Sequence, residues 1–150
     1  MPTVTAELTI PAEPDRLFTL ARDQVERFPE FTDDLVSVTV LEREGIRSVS
    51  RWVGRIKEFN RTLEWTEEDE WDAEARTCRF WQREGDFTSY SGLWEFQPGE
   101  AGGCLTRMTI DYEYNIPLVG ALIQGLVKKK VQQSAEAILQ ALQGLAAAEL

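Results

Sequence analysis

The sequence predicts an α+β domain in which a curved antiparallel seven-stranded sheet wraps around one long C-terminal helix, with two short helices after the first strand. Three observations carry this prediction. Apolar and polar residues alternate over seven separate stretches, the links between the last six are short, and beyond Pro117 the apolar spacing changes to steps of three and four. A period of two marks half-buried strands, a period near 3.6 marks an amphipathic helix, and short links join neighbouring antiparallel strands.

Val4, Ala6, Leu8 and Ile10 alternate with Thr3, Thr5, Glu7 and Thr9 in a first strand that Pro11 and Pro14 end. From Asp15, the spacing of Leu17, Phe18, Leu20, Ala21 and Val25 fits one or two short helices, closed by a turn at Phe28-Pro29-Glu30-Phe31. Leu35 to Arg43 and Ile46 to Ile56 flank Gly45 and form a hairpin. Arg61 to Trp71 and Thr77 to Arg83 flank a turn at Asp72 to Arg76. Gly85-Asp86 then turns the chain into Phe87 to Gln97, and Pro98 to Gly103 turns it into Cys104 to Ile116. The first strand is expected to close an edge against the last. Pro117 suits the first turn of a helix whose stripe is Val119, Ile123, Val127, Val131, Ser134, Ile138, Leu142 and Leu145. Roughly thirty helical residues span about 45 Å, enough to cross the sheet.

Composition narrows the function. A chain of 150 residues with 43% hydrophobic content can bury one sizeable core, so a single domain over residues 1–150 is expected. Its net charge of −10, from 26 acidic and 16 basic residues, opposes phosphate backbones, and nucleic acid is not an expected partner. No charged-then-apolar leader opens the chain, and the apolar run Ile116 to Val127 is too short to span a bilayer, which points to a cytoplasmic protein. That run and the following Lys128-Lys129-Lys130 also fit transient membrane contact, although a helix with a buried first half and a surfacing next turn accounts for them better. No oligomeric state is implied.

The chain has no histidine, which removes the usual general base at neutral pH and the commonest metal ligand. Its two cysteines cannot form a zinc site, and no metal or cofactor is expected. Cys78 and Cys104 fall two strand spacings apart, about 10 Å, beyond disulfide reach. The glycines from Gly99 to Gly103 lack the lysine and helix of a phosphate loop and fit a hairpin turn.

Ile10-Pro11-Ala12 with Leu17-Phe18, then Phe28-Pro29, Gly85-Asp86-Phe87, Gly92-Leu93-Trp94-Glu95-Phe96-Gln97-Pro98 and the final long helix occur in an order that resembles the START and Bet v 1-like (SRPBCC) superfamily. Within it the chain is similar to bacterial polyketide cyclase/dehydrase-like and Coq10-like proteins. The resemblance implies a helix-grip fold holding an apolar molecule between sheet and helix, and in some members aldol-type cyclisation of polyketide chains. In the aromatase/cyclase branch a cavity arginine follows a tryptophan of the fourth strand. Here that position falls on Asp69, and a carboxylate cannot stabilise a developing oxyanion. Arg51, Arg55 or Arg79 could substitute from neighbouring strands. No catalytic residue is therefore assigned.

The expected function is binding of a hydrophobic, ring-containing small molecule such as a quinone, lipid or polyketide, in a carrier or chaperone role. The alternatives are a polyketide aromatase/cyclase and a protein-interaction module of the ribosome-associated Coq10-like type. Four tryptophans in successive strands, Trp52, Trp65, Trp81 and Trp94, suggest an aromatic lining, because tryptophan offers large area with few torsions. Phe28, Phe31, Tyr90, Met108, Ile110 and Tyr112 extend this candidate ligand site on the sheet side, and Val127, Val131 and Ser134 on the helix. Gly92, between Tyr90 and Trp94, is expected to leave room, and the hydroxyls of Tyr112 and Tyr114 to orient ligand oxygens. Of the eleven residues from Glu64 to Glu74 seven are acidic, which fits a solvated strand edge. If Glu67 and Asp69 share the inward parity of Trp65, they belong near the cavity mouth.

Overall fold

A computed structural model describes residues 2–57, 60–114 and 121–149, with the side chains of residues 121 and 122 left aside. Strand β1 (Thr3–Ile10) leads into helix α1 (Pro14–Asp23) and a 3₁₀ helix, Val25–Glu30. Six strands follow: β2 (Leu35–Glu44), β3 (Arg47–Ile56), β4 (Arg61–Asp72), β5 (Thr77–Gly85), β6 (Ser89–Pro98) and β7 (Cys104–Glu113). Helix α2 covers Ala121–Ala148. The expected helix start at Pro117 and Val119, and the extension of the last strand to Ile116, lie outside the described residues.

All neighbours in the sheet are antiparallel, in the order β1-β7-β6-β5-β4-β3-β2. Short links dictate the meander, and β1 closes one edge by pairing Thr3 with Asp111 through Ile10 with Cys104. Register shifts in β2 and between Thr66 and Glu67 of the β4–β5 pair mark bulges, which bend strands and increase twist. Cys78 on β5 and Cys104 on β7 are free, with β6 between them. Among the described residues no helix is long and apolar enough to cross a membrane.

The concave face is covered unevenly. Pro14 starts α1, which buries Leu17, Phe18, Leu20 and Ala21. The 3₁₀ helix adds Val25 and Phe28. Helix α2 packs chiefly on β1, α1 and the 3₁₀ helix. Its second half is deeply buried through Ile138, Leu139, Leu142 and Leu145. At Gly144 the helix touches Phe31 so closely that a Cβ would lie 2.8 Å from the ring. The first described turns of α2 are half-buried or exposed, with Leu126 on the surface. Within the apolar run expected to be buried, the described Ile123 and Val127 are only half-buried, and among the described residues the leucines that hold α2 on the core, Leu139, Leu142 and Leu145, lie beyond Val131.

Candidate functional site

Under the less buried half of α2 lies a cavity of about 560 Å3, within the size range of small-molecule pockets. Its floor is Trp65 of β4, Phe87 of the β5–β6 turn, Tyr90 of β6 and Ile110 of β7. Ring centroids lie 5.1 Å apart for Trp65–Tyr90, 4.7 Å for Phe87–Tyr90 and 5.8 Å for Trp65–Phe87. These are contact distances, so the rings form one continuous aromatic wall. Helix α2 supplies Val127, Val131 and Ser134, spaced four and three residues apart and therefore on one face. Burial, with the nearby Glu67 and Asp69 charges, pushes the Tyr90 phenol well above its ordinary range. Its hydroxyl stays protonated at neutral pH.

The cavity rim is polar. Arg55 and Lys57 at the end of β3, Asp34 before β2, and Lys130 and Gln133 of α2 line it. The Arg55 guanidinium is steadied by a 2.8 Å bond to the Asp33 carbonyl, and the Lys130 ammonium donates to Gln133 Oε1 at 2.9 Å.

Beside this cavity sits a buried polar network with only about 10 Å3 of free space, room for about one water. Glu67 and Asp69 are 3% and 5% exposed. Trp65 Nε1 donates to Glu67 Oε1 at 2.8 Å, and Ser50 Oγ donates to Asp69 Oδ2 at 2.7 Å. Trp52 and Trp71 donate their indole N–H groups to Ser50 and Ser48 at 2.9 and 3.2 Å. Burial, then the Asp69 charge, drives the Glu67 carboxyl well above the usual carboxylate range. Burial also raises Asp69, opposed by its bonds to Glu67, Ser50 and Ser48 and by Arg43. Two adjacent carboxyls cannot both ionise cheaply, so the pair as a unit keeps a proton above the usual carboxylate range.

This corrects the expectation of a solvated acidic edge. Strand β4 lies inside the sheet between β3 and β5, and the parity shared by Trp65, Glu67, Asp69 and Trp71 points all four inward. Neither carboxylate lines the mouth of the large cavity. They belong to the small void beside Trp52, Trp71 and Trp94. The signal was available in the sequence: two tryptophans six residues apart in one strand share a face with whatever stands at even steps between them.

Of the expected ligand residues, Trp65, Tyr90, Ile110, Val127, Val131 and Ser134 line the cavity. The others lie elsewhere. Trp52 and Trp94 flank Phe28, with both centroid distances 6.3 Å, and Met108 is buried opposite Trp94. Phe31 packs on Gly144 at the far end of α2. Trp81 faces the opposite side of the sheet, because Cys78 and Phe80 take the inward parity of β5; it donates to Glu68 and lies under Arg47. Gly92 leaves no free space, since the Phe80 ring occupies it and a Cβ there would lie 2.3 Å from both Phe80 Cζ and the Thr109 carbonyl. Tyr112 is 0% exposed, and its hydroxyl is buried with no hydrogen-bond partner among the described residues rather than lining the cavity, whereas Tyr114 does line it. Sequence reasoning missed Phe87 and the charged rim. Phe87 sits in a turn and Arg55 at a strand end, where alternation no longer assigns a face.

Residues 10–139 match the family described as polyketide cyclase/dehydrase and lipid transport. The solved structure of TTHA0849 from Thermus thermophilus is 40% identical, covers 97% of this chain and 99% of its own, and superposes with a TM-score of 0.90. The Zhui aromatase/cyclase from a Streptomyces species is 19% identical over 97% of this chain and 93% of its own, with a TM-score of 0.85. A START superfamily protein from Mycobacterium smegmatis is 20% identical over 99% of each chain, with a TM-score of 0.80. At those two identities the likeness is one of fold. No curated protein matches the chain significantly.

Proposed function

The chain belongs to the polyketide cyclase/dehydrase and lipid transport family, and on that premise we propose that it binds a hydrophobic, ring-containing small molecule between its sheet and α2. Its role is that of a carrier or chaperone for a quinone, lipid or polyketide, without obligatory chemistry. The observation that carries this reading is the aromatic floor of a cavity of about 560 Å3 whose described lining contains no cysteine and no buried base. Trp65, Phe87 and Tyr90 offer flat apolar faces, and the hydroxyls of Tyr90, Tyr114 and Ser134 supply donors for one or two ligand oxygens.

Titration with menadione tests this. Tryptophan emission should be quenched saturably with a micromolar Kd, a binding free energy of about −8 kcal/mol, and Trp65→Ala should remove most of that response. Quenching that never saturates rejects the reading.

A second reading, an aromatase/cyclase, draws its support from Arg55. Among the three arginines able to replace the positive charge missing at Asp69, Arg51 is exposed and paired with Glu64, Arg79 is exposed on the outer face, and Arg55 lines the cavity. A guanidinium there can stabilise an enolate or tetrahedral oxyanion. Turnover of a poly-β-ketone thioester that is lost in Arg55→Gln establishes this reading; ligand binding without turnover leaves the carrier role.

A further inference from the structure

The molecule carries a net charge of −10, yet the rim of its large cavity gathers Arg55, Lys57 and Lys130 against Asp34, the single carboxylate among the described lining residues. Among the described lining residues the sign is thus opposite to that of the whole chain. Two separate parts of the fold produce it, because Arg55 and Lys57 stand at the end of β3 and just beyond it while Lys130 belongs to α2. We propose that the ligand is an amphiphilic anion: a flat apolar body lies on Trp65, Phe87 and Tyr90, and one carboxylate-type group remains at the rim among these three cations. This rests on the binding reading above and adds the charge and orientation of the ligand.

The contacts on the β3 side of the rim leave its charge available. Arg55 bonds to the Asp33 carbonyl, a neutral acceptor, and keeps the fixed fork of N–H donors that matches a carboxylate. Lys57 lies 3.8 Å from Asp33, but the two side chains are 56% and 86% exposed, so water screens that pair and a ligand carboxylate can compete for it. On the α2 side, the bond to the Gln133 amide fixes where the Lys130 ammonium stands. The aromatic floor alone does not choose this sign, since ring faces attract cations. The rim makes the choice. Depth sets the orientation: Trp65, Tyr90 and Ile110 are buried while Arg55 and Lys57 are exposed, so the apolar end enters first and the charged end stays hydrated.

Three probes of one shape separate the possibilities: anthracene carboxylate, its carboxamide and aminomethyl anthracene, titrated by tryptophan fluorescence at low salt and at about 1 M salt. The carboxylate should bind about tenfold more tightly than the carboxamide at low salt, the aminomethyl compound more weakly than either, and the differences should shrink at high salt as charges are screened. Arg55→Gln and, separately, Lys130→Gln should bring the carboxylate-to-carboxamide ratio toward one. Lys128→Gln, exposed on α2 and outside the lining, should keep it. Equal binding of the carboxylate and carboxamide, tighter binding of the amine, or a ratio indifferent to both rim variants overturns the anionic head while leaving the apolar pocket standing. Saturable binding by none of the three overturns the pocket as well.

Discussion

Trp52 and Trp65 stand opposite each other in the β3–β4 pair and stack with their planes 7° apart, but they border different surroundings. On the Trp52 side the concave face is filled: Phe28 of the 3₁₀ helix meets Trp52 and Trp94, and Phe18 of α1 meets Trp71 at 5.6 Å and Phe96 at 5.8 Å. On the Trp65 side the described part of α2 brings no aromatic ring, its apolar lining being Val127 and Val131, and about 560 Å3 stays open. The strands are the same and so is the residue type. What descends onto the sheet decides whether an aromatic becomes core or lining, so counting tryptophans on a concave face measures neither outcome.

The strongest break of the comparison removes what covers both regions. A chain ending before Val131 loses the leucines of α2 from the filled end and the wall of the open one, and should show no cooperative unfolding by circular dichroism. A cooperative transition in that truncated chain would contradict the architecture. Less drastic is Phe28→Ala, which hollows the filled end. It should cost about 3–5 kcal/mol in denaturant unfolding, with menadione quenching at Trp65 retained. Equal loss of probe binding would show the two ends to be one space.

Between the two ends lies the Glu67–Asp69 pair, whose bond to Trp65 Nε1 joins the buried network to the cavity floor. Both carboxyls are raised in the folded state, chiefly by burial, so the folded protein holds more protons than the unfolded chain above the ordinary carboxylate range near about pH 4. Their contribution to stability is present below that range and is lost as pH rises through the raised values. Glu67→Gln should therefore be no more stable than the parent at acid pH and more stable at alkaline pH, with a shallower pH slope in thermal unfolding. Parallel pH profiles for the two proteins would refute the shared proton.

The smallest effect belongs to Trp81→Ala. Outside the concave face, Trp81 has its bond to Glu68 and its stack with Arg47 to lose, worth about 1 kcal/mol in a half-exposed setting. Probe affinity should not change. A weakened pocket would place this ring in communication with the cavity.

Element order, strand pairing and the later, buried part of the stripe of α2 were legible because they depend on local periodicity and short links. Alternation at Val4 to Ile10 specifies a half-buried strand wherever it lands, and hairpin links leave one sensible sheet order. Trp65, Tyr90, Ile110, Val127, Val131 and Ser134 were recognisable as cavity lining for the same reason: each sits within a strand or helix, where parity or helix phase holds. Parity alone also assigned Glu67 and Asp69 to the inner face, but a run of seven acids invites a solvated interpretation, and the partners that make burial tolerable, Ser48 and Ser50, come from another strand.

Only tertiary structure decided which part of the inner face stays empty. That depends on Phe28 and Phe18 arriving from segments distant in sequence, on Phe80 occupying the space above Gly92, and on α2 anchoring through its later leucines. It likewise decided the charged rim, because Arg55 of β3 and Lys130 of α2, far apart in sequence, line the same cavity. Periodicity records which face a residue presents. Volume and charge density belong to the whole set of faces that meet, and are set only when the helices settle on the sheet.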